Sequence, residues 1–285
     1  MAQTKQEIQA ILAQASTSPR HRFGQNFMID QNLVRLIADS GAIQPGELII
    51  EVGPGTGTLS EEILARGANL VAVEIDRDLA RVLRERFTDQ PNFTLIEGDA
   101  LASKHELNKD LAQHIASARA SNQTMKLVAN LPYNIASPLI IESLIAGVEL
   151  FAFTVQKEVA DRLRAKEDTE AYGPLSVTTQ MLAQVEVLRT LPPQAFWPPP
   201  KVDSSLVRLT RHDQLADQAS AFSRFVQTVF SFRRKTLKKA LNQAGFQAEA
   251  MLAATGIDPQ VRPEVLSPQL LMRLFQVRSA SPQES

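Results

Sequence analysis

The sequence predicts an α/β fold, a mostly parallel sheet flanked by helices, followed by a small all-helical domain. Three observations carry this expectation. Short apolar runs alternate with amphipathic helical segments through the first two thirds of the chain, and the runs are apolar on both faces, as strands sandwiched between helices must be. A glycine-rich stretch, "EVGPGTG" (Glu51 to Gly57), joins the first such run to a helical segment. After Thr210 the pattern is helical to the end.

The strands, in order, are "ELIIEVG", "NLVAVEID", "NFTLIEGD", "MKLVANLPY" and "LFAFTVQ". Helices between them are "LSEEILARG", closed by Gly67, then "RDLARVLRERF", "SPLIIESLIAG" and "KEVADRLRA". "AQVEVLRTL" and "SSLVRLT" predict two more strands, close enough in sequence to pair antiparallel as a closing hairpin. Beyond them Phe222, Phe225, Val226, Val229 and Phe230 share one helical face, which marks them as core rather than as base-stacking groups. The expected domains are 1–210, including an N-terminal extension 1–20, and 211–285. The polar segment "SKHELNKDLAQHIASARASNQ", within 102–124, reads as a surface insertion.

Composition narrows the function classes. A chain of 285 residues, 44% hydrophobic, can bury one full core and a small second one. Neither a membrane-spanning run nor a signal peptide is evident, so a cytoplasmic protein is expected. With no cysteine the chain has no disulfide, thiolate zinc site or cysteine nucleophile. His21, His105, His114 and His212 lack ligand spacing, so no metal is expected. The 30 basic and 31 acidic residues nearly cancel, but their distribution is uneven. "FSRFVQTVFSFRRKTLKKAL" carries Arg224, Arg233, Arg234, Lys235, Lys238 and Lys239 and no acid, and "SPRHRF" adds Arg20 and Arg22. These are candidate phosphate contacts; on charge alone, a solvated helix face is the simpler account.

Chemistry gathers at the ends of the strands. Gly53, Gly55 and Gly57 let backbone approach a ligand, although a tight strand-to-helix turn would use glycine too, and the stretch lacks the lysine of a phosphate-binding loop. Glu74 ends the second strand, where an acid can accept both hydroxyls of a ribose, and Asp99 ends the third, where it could accept from an adenine amine. The fourth ends in "NLPY", Asn130 to Tyr133. Ordinary accounts of these last residues are a capping amide for Asn130 and a core aromatic for Tyr133.

Together the glycine loop, Glu74 and Asp99 resemble the nucleoside-binding motifs of class I S-adenosylmethionine-dependent methyltransferases, which implies a Rossmann-like sheet. "NLPY" is similar to the motif of methyltransferases acting on adenine in RNA. Through that resemblance the Asn130 side-chain oxygen and the Leu131 carbonyl accept from the target amine, Pro132 fixes the turn, and Tyr133 stacks on the base. "RFGQNFMID", "EVGPGTGTL", "GDAL", "NLPYNIASPL", "QKEVADRL", "YGPLSV" and "FWPPPKVDSSLVRL" follow in order. They resemble the ribosomal RNA adenine dimethyltransferases, and most closely the branch that dimethylates two adjacent adenosines near the 3′ end of 16S rRNA in the small subunit. The resemblance implies cofactor contacts from Asn26, Met28, Gly53, Glu74, Asp99 and Asn130, with Phe196 as a second aromatic against the base. Met28 stands where leucine is expected. It further implies S-adenosyl-L-methionine as the methyl donor, a role in ribosome biogenesis, and no membrane partner; a monomer is the default. Two alternatives stay open: an Erm-type enzyme acting on large-subunit rRNA, and a non-catalytic ribosome-assembly or transcription factor on the same fold.

Overall fold

A computed structural model describes residues 3–20, 23–212 and 215–279. From the N-terminus the elements are α1 (Lys5–Gln14), β1 (Phe27–Met28), α2 (Gln31–Ser40), β2 (Leu48–Val52), α3 (Thr58–Leu64), β3 (Asn69–Glu74), α4 (Arg77–Arg86), β4 (Phe93–Glu97), β5 (Leu101–Ser103) and β6 (Glu106–Leu107). The chain continues through α5 (Lys109–Ala120), β7 (Met125–Asn130), α6 (Ala136–Ala146), β8 (Leu150–Gln156), α7 (Lys157–Leu163), α8 (Pro174–Leu182), β9 (Ala183–Leu191), β10 (Phe196–Trp197) and β11 (Ser204–Arg211). The last helices are α9 (Ala219–Phe230), α10 (Leu237–Gln243), α11 (Ala248–Thr255) and α12 (Pro268–Ser279).

The main sheet has the order β4-β3-β2-β7-β8-β11-β9. β4, β3, β2, β7 and β8 run parallel, and β11 joins β8 antiparallel. Every residue of β2 is buried, as are most of those in β3, β7 and β8, because helices cover both faces and leave no polar side to the strands. The predicted hairpin strands are neighbours, with β11 as the inner one. From β2 the chain winds outward to β3 and β4, then returns to the other side of β2 as β7. The strand order therefore reverses between β2 and β7, and a doubly wound sheet opens a crevice beyond the carboxyl ends of the strands that flank such a point.

That return changes the reading of residues 102–124. A parallel strand can be reached from its neighbour's far end only through a crossover, and this one contains α5. Asn108 caps α5 through its side-chain oxygen, and Leu111, Ile115 and Ala118 are buried. α5 packs on β3, β7 and α6. The segment thus holds most of the small β5-β6 hairpin and then the crossover helix that leads to β7, and is not a surface insertion.

Contacts divide the chain into two compact units, Met1–Ala160 with Val185–Arg211, and Asp161–Gln184 with His212–Ser285. The boundary expected at residue 210 thus differs from the observed one. α8 is buried along most of its length, and it packs on α9 and α12 of the second unit. In that unit Phe222, Phe225, Val226, Val229 and Phe230 are all buried. Phe225 meets Phe246 and Phe275 at ring separations of 5.1 and 5.7 Å, the core role expected of that aromatic face.

Candidate cofactor and target-base site

A cleft of about 870 Å³, counting its open mouth, lies beyond the carboxyl ends of β2, β3 and β7. Asn26, Met28, Gly53, Glu74, Asp99, Asn130 and Pro132 all line it, so the chain's topology gathers residues from five separate motifs. Glu51, Ile75, Asn134 and Ile135 line it as well.

The glycine loop has a packing reason beyond ligand access. Gly53 has φ +72°, and a β-carbon there would sit 3.0 Å from the Pro132 Cγ. A side chain there would need the Pro132 ring to give by a few tenths of an ångström and would have to adopt a left-handed backbone, so glycine suits the close approach of the β2 loop to the turn after β7. The N-terminal segment supports the same loop from behind: Gln3 accepts from the hydroxyls of Thr56 (2.5 Å) and Thr58 (2.9 Å) and donates to the Thr56 carbonyl. Arg20 pairs with Asp76 at 2.7 Å and Asp78 at 2.6 Å. A guanidinium held by two carboxylates is largely neutralised, so Arg20, one of the candidate phosphate contacts, serves here as a structural clamp. Arg22, expected beside it, lies outside the described residues.

Two carboxyls lie buried at the base of the cleft. Glu74 is 3% exposed and accepts from the backbone N–H of Asp76 (2.9 Å) and of Gly55 (3.1 Å). Burial pushes its pKa up to about 7, against the pull of those backbone donors. Glu51 is 2% exposed and accepts from the Ser60 hydroxyl at 2.6 Å. Burial raises its pKa to about 8, opposed by Ser60 and reinforced by the charge of Glu74. Glu51 was not among the expected site residues; the signal was there, since a carboxylate inside the apolar run "ELIIEV" can be tolerated only with a partner or a proton.

A folded-state pKa above the unfolded value of 4.5 means that the folded protein holds the proton more tightly. The stability so contributed is complete below pH 4.5 and is lost as pH rises through about 8. Glu51→Gln keeps an acceptor for Ser60 without the charge. It is expected to match the parent in denaturant unfolding near pH 4.5 and to exceed it above pH 8 by roughly 3–5 kcal/mol. Identical pH profiles for the two would show that Glu51 ionises without penalty.

Asn130, at the end of β7, is half-buried and held at both ends of its amide. Nδ2 donates to the Asn26 carbonyl at 2.7 Å, and Oδ1 accepts from the Thr154 hydroxyl. The Leu131 N–H donates to the Thr154 carbonyl at 3.2 Å, while the Leu131 carbonyl accepts no hydrogen bond among the described residues. Pro132 forms a wall of the cleft against Gly53. Tyr133 is half-buried, its hydroxyl 2.7 Å from the Ser204 hydroxyl, and burial raises its pKa. Asp99 is exposed at the mouth, with Oδ1 accepting from the Leu101 N–H at 3.0 Å.

Phe196 departs from its expected role. It pairs with Met28 across the β1-β10 ladder, packs among Leu33, Leu191 and Leu206, and is 1% exposed. A ring with no accessible face cannot stack on a base, so in this structure Phe196 is a core residue. Among the candidate phosphate contacts of the second unit, Arg224, Arg233, Arg234, Lys235 and Lys239 are exposed, with Arg233 to Lys235 in the turn between α9 and α10. Lys238 is already paired with Glu249 at 2.7 Å. No group of three His, Asp or Glu that could hold a metal occurs among the described residues. No helix among them is long and apolar enough to cross a membrane.

Comparison with known proteins agrees with this geometry. The family model "Ribosomal RNA adenine dimethylase" matches residues 16–279. The ribosomal RNA small subunit methyltransferase A of Hahella chejuensis is 41% identical over 252 residues, covering 87% of this chain and 88% of its own. The protein of the same name from Moorella thermoacetica is 36% identical over 265 residues, covering 90% and 91%. Among solved structures, the 23S rRNA methyltransferase ErmE superposes with a TM-score of 0.61 at 26% identity over 89% of this chain and all of its own. A dimethyladenosine transferase from Plasmodium falciparum, at 22% identity, shares the fold with a TM-score of 0.71, over 89% of this chain and 98% of its own. The chain belongs to the ribosomal RNA adenine dimethylase family, whose members are methyltransferases.

Proposed function

We propose that this protein transfers methyl groups from S-adenosyl-L-methionine to the exocyclic 6-amino groups of two adjacent adenosines near the 3′ end of 16S rRNA, within the small ribosomal subunit or its precursor. The observation that carries this reading is the meeting of Asn130 and Gly53 at the strand reversal, with Glu74 on the adjacent strand. The lining suits a nucleoside cofactor. Glu74 offers two carboxyl oxygens to a ribose diol, Ile75 an apolar surface to a base, and Asp99 an acceptor to an amine. When bound, S-adenosyl-L-methionine supplies an electrophilic methyl on a sulfonium and leaves as S-adenosyl-L-homocysteine.

The chain's own residues address a weak nucleophile. The lone pair of an adenine amine is delocalised into the ring, so its reactivity depends on holding the nitrogen pyramidal and aligned. Asn130 Oδ1 and the Leu131 carbonyl accept the two N–H groups and favour that geometry. Pro132 fixes the turn that follows them, and Tyr133, its hydroxyl tethered to Ser204 next to that turn, is the residue to stack on the base. No strong base is needed, because the nitrogen becomes acidic once alkylated and loses its proton to water. The target adenines must be unpaired or flipped to reach the cleft. Arg224, Arg233, Arg234, Lys235 and Lys239 of the helical unit supply charge for the phosphate backbone, which assigns that unit to RNA docking.

The test is incubation with tritiated S-adenosylmethionine and undermethylated small and large subunits, followed by mapping of the labelled nucleotides. Label on paired adenosines near the 3′ end of 16S rRNA is expected. Label confined to large-subunit RNA would support the activity of ErmE-like relatives instead, and no label on either would leave a binding role.

A further inference from the structure

We propose that Thr154 is a positioning residue for methyl transfer, acting through Asn130; the inference rests on the role assigned to Asn130 above. Thr154 is the one polar residue in "LFAFTV", a strand interior that is otherwise apolar, and it is 0% exposed. A buried hydroxyl needs a partner, and this one finds it on the neighbouring strand. Asn130 and Thr154 stand opposite each other in the β7-β8 register, and the hydroxyl reaches the amide oxygen.

The direction of each bond follows from the donor and acceptor inventory. The Asn26 carbonyl can only accept, so the Asn130 Nδ2 must face it and Oδ1 must face Thr154. The Thr154 hydroxyl therefore donates, and it occupies one of the two lone pairs on Oδ1. The second stays available to the cleft, which Asn130 lines and Thr154 does not. Thr154 therefore touches neither cofactor nor base. It sets the rotation of an amide whose terminal torsion is otherwise soft. The backbone of the same residue holds the Leu131 N–H, so one residue braces both groups proposed to accept from the target amine.

Removing the hydroxyl leaves the backbone bond intact and leaves the Asn130 amide hinged on Asn26 alone. The amide oxygen can then swing away from the position the target amine needs, and small misplacements of this kind cost about ten- to a hundredfold in rate. The experiment compares single-turnover methylation of undermethylated small subunits by wild type, Thr154→Val and Thr154→Ser at saturating cofactor, with the cofactor dissociation constant and unfolding midpoint measured alongside. Thr154→Val is expected to lower the single-turnover rate about tenfold or more with the cofactor dissociation constant unchanged within about twofold, and Thr154→Ser to restore the rate. Thr154→Ala, which deletes the same hydroxyl without adding a methyl group to the core, gives a second measurement if the valine variant does not fold. A rate for Val or Ala within about threefold of wild type overturns the proposal. So does a serine variant as slow as valine, which would trace the loss to packing. If wild type itself methylates no adenosine in small-subunit RNA, the functional reading fails and this inference falls with it; normal wild-type methylation beside an unaffected Val variant removes the inference alone.

Discussion

Asn130→Ala is expected to lower methyl transfer by roughly 10²–10³-fold, the effect of removing a preorganised acceptor from the reacting group. The loss should fall on the rate at saturating subunit and cofactor, because the proposed interaction matters most as the amine becomes pyramidal. Subunit binding, for which we propose the basic residues of the helical unit, should stay within about threefold of wild type. The substitution also strips the hydrogen-bond partners from the Thr154 hydroxyl and from the Asn26 carbonyl, so some loss of stability is expected. An unfolding titration separates the two effects. Parallel loss of subunit binding and catalysis would identify Asn130 as structural.

Glu74→Ala is expected to weaken cofactor binding by at least about a hundredfold, since each hydrogen bond to a charged acceptor is worth about 1.5–3 kcal/mol and a ribose offers two. The pH dependence adds a sharper test. The carboxyl, at a pKa of about 7, accepts best when ionised, so cofactor affinity in the wild type should strengthen as pH rises through 7 and flatten above it. Folding stability runs the other way. The protonated carboxyl belongs to the folded state, and its contribution is complete below pH 4.5 and fades as pH climbs to about 7. In Glu74→Gln both dependences should be reduced to what Glu51 contributes. Titration calorimetry from pH 6 to 8.5 measures the first, and an unchanged dissociation constant in Glu74→Ala would refute the ribose role.

Most of the sheet could be read from the sequence because strands buried on both faces leave continuous apolar runs, and β2, β3, β7 and β8 each do. The residues that end them, Glu74 and Asn130, stand out as polar side chains at the close of such runs, and topology then brings them to one crevice. α5 was harder to see, since only Leu111, Ile115 and Ala118 of its twelve residues are buried and the polar remainder looks like a loop. β1 and β10, two residues each, are too short for any periodicity to register. Phe196 went to the core because its direction depends on a pairing with Met28 across 168 positions of sequence, and no local pattern encodes that. The clamp made by Arg20 is invisible in the sequence for a related reason: its partners Asp76 and Asp78 are distant in sequence. Thr154 left a signal, a lone hydroxyl inside an apolar strand, whose meaning depends on which strand lies beside it.

The contact of Gly53 with Pro132 bears on how such a protein can diverge. Two loops from different strands, one proposed to face the cofactor and the other the substrate, meet where Gly53 lies against the pyrrolidine ring of Pro132. A larger residue at 53 asks the ring at 132 or the backbone of one loop to give by a few tenths of an ångström. In an alignment of relatives the two columns should therefore covary, and a substrate-side change that loosens the turn at 132 should alter how tightly the donor is held, although it touches no part of it.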